Sequence, residues 1–97
     1  MGVSTTAIAA DSETLSISGT AVGLTGAKIT ATTTHVVVLA EGNVRYWRSG
    51  VLPTTLNGRP LYDGQEVNLS RMEARSFLAI RKDGTDAKIH VEYYRAL

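Results

Sequence analysis

Cysteine is absent from this 97-residue chain, so disulfides, iron–sulfur clusters and thiolate zinc sites are excluded and the fold is held by packing and strand pairing alone. An excess of one charge is lacking too. Lys and Arg number 10 against 9 Asp and Glu, a formal net charge of +1 that supplies no basic clamp for nucleic acid. The longest apolar run, Val36 to Ala40, is far below the ~18 residues a membrane span needs. The amino-terminal stretch has no basic segment followed by an apolar one, which predicts synthesis in the cytoplasm and no membrane insertion.

Recognisable catalytic and metal-binding patterns are also missing. His35 and His90 are the only histidines, and neither has a second one at ligand spacing, so no metal and no cofactor are expected. No Gly-x-Ser-x-Gly elbow occurs. Asp63, Glu66 and Glu73 lie in or near a turn-rich stretch, where a carboxyl is too well solvated for its pKa to be raised for acid catalysis. No catalytic residue is therefore expected. Asp63-Gly64 and Asp83-Gly84 do not continue with calcium-loop spacing and read as turns.

What is present is a string of strand-like segments cut by glycine-bearing turns. At 97 residues the chain is one domain, and 43% apolar with 20% charged content is globular. Leu15 to Ser18 alternates, Ala21 to Leu24 reads as a shorter strand, and His35 to Ala40 lacks alternation, which predicts a central strand covered on both faces. In Asn43 to Arg48, period two places Val44, Tyr46 and Arg48 on one face and Arg45 and Trp47 on the other. Phe77 to Lys82 and Ala87 to Tyr94, joined through Gly84, are read as a hairpin with Ala87, Ile89, Val91 and Tyr93 inward and Lys88, His90, Glu92 and Tyr94 outward. Ser70 and Glu73 have capping-box spacing, which predicts one helical turn over Arg71 to Ser76. The expected fold is all-β, a small antiparallel sandwich over residues 11–97 preceded by a flexible arm over residues 1–10.

One cluster invites a partner. Arg45, Tyr46, Trp47 and Arg48, together with the outward Tyr94, are the residue types that dominate desolvated protein interfaces. Seven of the ten basic residues are arginine, whose planar fork pairs with carboxylates and stacks on aromatics. Two readings stand side by side. Tyr46 and Trp47 are either core covered by the arginines, or part of a contact surface, including one that stacks on sugar or on single-stranded nucleic acid.

From Val36 onward the order of features resembles small virion proteins of tailed bacteriophages. It consists of Val36-Val37-Val38, Gly42-Asn43-Val44-Arg45-Tyr46-Trp47-Arg48, Gly50 with Pro53-Thr54, Gly58 with Pro60-Leu61, Gly64, Phe77-Leu78-Ala79-Ile80-Arg81 and Gly84 through Tyr94. The resemblance implies a β-sandwich, with the jelly roll among its forms, that decorates or cements a capsid or sits at the head–tail region as a symmetric oligomer. It implies residence in the virion and contacts with the major capsid protein or other virion proteins. It implies no catalytic residues and no cofactor. A trimer is the oligomer preferred by analogy. Ser70-Arg71-Met72-Glu73-Ala74-Arg75 carries more charge than that pattern. The alternative is a tail or fibre module that recognises carbohydrate through Trp47 and Tyr46, and an enzyme ranks last.

Overall fold

Alternating apolar residues set the buried side of each strand, and strand pairing sets which sides face each other. The computed structural model describes residues 7–97. Its strands are β1 (Ala7–Ile17), β2 (Val22–Gly23), β3 (Thr33–Glu41), β4 (Val44–Trp47), β5 (Arg59–Leu61), β6 (Glu66–Ser70), β7 (Leu78–Arg81) and β8 (Ala87–Ala96), and a short helix, α1 (Arg71–Ser76), follows β6. They form two four-stranded sheets, a first in the order β1-β8-β3-β6 and a second in the order β2-β7-β4-β5.

These orders are those of a jelly roll. Antiparallel pairing joins β1 to β8, β2 to β7, β3 to β6 and β4 to β5, as in one long hairpin. Rolling that hairpin up adds the β3·β8 and β4·β7 contacts and sends successive pairs to alternate sheets. The inward faces meet in one core, in which Tyr93, Phe77, Ile17, Leu69, Ile89, Val36, Val38, Val44 and Val91 are each less than 2% exposed. Burying a side chain of this size contributes roughly 1.5–3 kcal/mol.

The short turns are corners between the sheets, and Asn43 ties three of them together. Its Oδ1 accepts from Asp63 N at 2.9 Å, its Nδ2 donates to Asp83 Oδ2 at 2.9 Å, and its carbonyl accepts from Lys82 N at 3.0 Å. Asp63 Oδ1 in turn accepts from Gly42 N at 2.8 Å. Gly42 has a φ of +94°, and a Cβ there would lie 2.9 Å from that of Ala87, so only glycine fits this corner.

Several expectations are met and others are corrected. The inward register of β8 is as read, and α1 carries its complete capping box, with Glu73 N donating to Ser70 Oγ and Ser70 N to Glu73 Oε1. The predicted final hairpin is not one: β7 pairs with β2 and β4, whereas β8 pairs with β1 and β3 in the other sheet. An Asp-Gly turn serves a corner as well as a hairpin, and the tighter constraint is which sheet each strand completes. Residues 7–10, expected to belong to a flexible arm, are part of β1, which pairs with β8 through Ala7↔Ala96 and Ala9↔Tyr94. Residues 1–6 lie outside the described residues. β3 is central in its sheet, but its outward Val37 and Leu39 are only half-buried, so among the described residues the expected cover on its second face is partial.

Candidate functional site

The five residues singled out from sequence do not form one patch. Tyr46 is 4% exposed and stacks on Phe77, with ring centroids 5.5 Å apart, so the core reading holds for it. Arg45 and Trp47 point the other way, onto the outward face of the second sheet, where they pair across the strand with Ile80 and Leu78. Arg48 is half-buried, with a guanidinium nitrogen 4.0 Å from Glu73. Tyr94 lies on the first sheet, stacked on His35 with centroids 4.5 Å apart and planes at 10°.

Arg45 has a task that sequence alone did not reveal. Its Nε donates to the Thr55 carbonyl at 3.1 Å and its Nη1 to the Gly58 carbonyl at 3.0 Å, drawing residues 48–58 against the outward face of β4. Thr54 closes the tip of that loop, with its Oγ1 accepting from Leu56 N at 3.2 Å and from Asn57 N at 2.9 Å. Gly58 has a φ of +136°, and a Cβ there would stand 3.1 Å from that of Arg45 and 3.2 Å from that of Pro53. The loop is thus pinned, yet it presents Val51 at 57%, Leu52 at 67% and Leu56 at 82% exposure. Three large apolar side chains thus stand in solvent on a loop that hydrogen bonds hold in place, so the ordering of that loop is already accomplished by folding. The segment from Val44 to Tyr62 contains Arg45, Arg48 and Arg59 and no carboxylate.

The outward face of the first sheet is chemically different. His90 lies between Thr14 and Glu41, with Nδ1 3.0 Å from Thr14 Oγ1 and Nε2 2.7 Å from Glu41 Oε1. Neither partner is near this histidine in the chain, because both come from other strands. The row resembles a nucleophile–base–acid relay in order only. It lies on a solvated sheet face, and the neighbouring backbone is committed to strand ladders rather than to an oxyanion. Beside it is a cleft of about 300 Å³ lined by Thr14, Val37, Leu39, Glu66, His90 and Glu92 among others. Among the described residues, no group of three or more His, Asp or Glu side chains comes together to hold a metal.

Between the sheets at the β1 edge runs a polar clasp. Glu13 accepts from Thr25 Oγ1 at 2.6 Å, from Thr25 N at 3.2 Å and from the Tyr93 hydroxyl. Desolvation pushes the Glu13 carboxyl up, and the bonds from Thr25 and Tyr93 outweigh it, leaving the group below its ordinary range. Burial, with the carboxylate of Glu13 second, pushes Tyr93 up and keeps it protonated as the donor. Lys28 Nζ lies 3.0 Å from Asp11 and is the main reason that this carboxyl is lowered. Extending the alternation of Leu15 and Ile17 backward would have placed Asp11 and Glu13 on the same inward side. Comparison with protein-family models, with curated proteins and with solved structures finds no match to this chain.

Proposed function

We propose that this chain is a non-enzymatic structural protein of a bacteriophage virion, acting as a capsid decoration or cement protein. The observation that carries the reading is the pinned loop: Val51, Leu52 and Leu56 are exposed on a turn that Arg45 and Thr54 hold in place, which is surface prepared for another protein. The ordered string of features from Val36 to Tyr94 points to the same group of particles, and a sandwich is the architecture which that resemblance implies. A jelly roll hosts many roles, so the surface and not the fold supports the function.

The mechanism is linkage. A protein that binds the assembled shell and not its separated subunits stabilises the shell by RT ln(1 + [L]/Kd) at each site, and many small contacts add up against internal pressure. The test is co-sedimentation with capsids prepared without this protein. Saturation at a fixed stoichiometry, together with slower shell disruption on heating, is expected. Purified chain that ignores shells but binds glycan, with binding lost in Trp47→Ala, would overturn the proposal in favour of a tail or fibre module.

A further inference from the structure

We propose that the 48–58 loop of one protomer seats in the cleft on the first sheet of a second copy, a head-to-tail contact between unlike surfaces. Shape comes first. The loop projects Leu52 and Leu56, whereas the cleft is a concavity of about 300 Å³ whose lining includes Val37 and Leu39. A cavity of ~150 Å³ accepts a benzene ring, so this one has room for leucine side chains. Val37 and Leu39 are an apolar pair on the outward face of a central strand, and among the described residues they are only half-buried. Insertion of the loop would complete their cover.

Charge matches as well. Arg59 is exposed at one end of the loop, Arg48 at the other end is shared with Glu73, and no carboxylate lies between Val44 and Tyr62. The cleft is lined by Glu66 and Glu92, both exposed. Loop and cleft lie on the opposite outward faces of the sandwich, so the loop of one chain can reach only the cleft of another. A contact of this kind repeats from protomer to protomer and forms a ring when the rotation closes. The inference rests on the loop being a contact surface and is independent of any capsid.

Light scattering on the purified chain over a range of concentrations tests it, with no shell present. The wild type is expected to associate, and Leu56→Asp to weaken association roughly 30-fold or more, as for a central interface residue. Leu56 is 82% exposed, so at dilutions where both proteins are monomeric the variant should melt like the wild type. Glu66→Lys with Glu92→Lys reverses the charge of the cleft lining and should also yield a monomer, and both positions are exposed, so the fold should be kept. The decisive step mixes the two variants: one supplies an intact cleft and the other an intact loop, so a 1:1 heterodimer should form. A monomeric wild type, a Leu56→Asp protein that associates as before, or a mixture that stays monomeric would each overturn the proposal. Shell co-sedimentation of the Glu66→Lys, Glu92→Lys protein, whose loop is intact, separates this contact from the capsid reading.

Discussion

The outward faces of the two sheets solve the same problem in opposite ways. On the first sheet, polar side chains satisfy one another across strands: Thr14, His90 and Glu41 form a row, and His35 stacks on Tyr94. On the second, Ile80 is 7% exposed on the outward side, and the 48–58 loop is drawn against the neighbouring strand by Arg45. The first arrangement leaves a cleft; the second moves apolar surface from a sheet to a loop tip. A sheet face of a small domain is thus either solvated by its own ladders or covered, and the covering element becomes the new surface.

The comparison is cut most deeply within β4, where inward and outward residues alternate. Tyr46→Ala removes a core aromatic and is expected to cost about 3–5 kcal/mol in urea unfolding, whereas Trp47→Ala should cost clearly less. A larger loss at Trp47 would reverse the assignment of faces. Next comes Arg45→Ala, which frees two carbonyl acceptors and the loop above them. A loss of about 1.5–3 kcal/mol is expected, with faster amide exchange at Leu56 and Asn57, whose N–H groups belong to the turn.

Glu13→Gln probes the clasp at the edge of the first sheet, and about 1–3 kcal/mol is expected because Tyr93 loses an ionised acceptor. The same group governs acid sensitivity. Glu13 lies below its ordinary value of 4.5, so its contribution is full above that pH and is lost as pH falls through the lowered folded value. Asp11, held down mainly by Lys28, and Asp83, held down mainly by Asn43, act in the same direction. Melting temperature should fall below about pH 4.5 and do so less steeply in Glu13→Gln. The smallest effect belongs to His90→Gln, within ~0.5 kcal/mol at pH 7, since its partners are solvated. A large loss there would mean that the row on the first sheet is structural.

Much of the local structure was legible. Period-two alternation identified the inward side of β8, and Ser70 with Glu73 announced α1, because both signals act over a few residues. β5, with Pro60 inside three residues, and β6, with only Val67 and Leu69 apolar, carry too little pattern to stand out from a turn-rich stretch. The start of β1 was missed for the same reason, since Ala7 to Glu13 acquires strand character only by pairing with β8. Of the candidate surface, Arg45 and Trp47 are visible as residue types, but Leu56 is not, because exposure is not written in a single position.

The amino-acid sequence by itself determined an all-β domain without disulfides, the alternation within its longer strands, and the capped helical turn. These follow from side-chain period, turn chemistry and composition. Only the tertiary structure decided that β7 and β8 belong to different sheets, that Asn43 joins three corners, and that Arg45 turns back to two carbonyls of the loop that follows its own strand. Those contacts join residues far apart in the chain, and their choice depends on which strand edges and faces remain unsatisfied once the hairpin has rolled up.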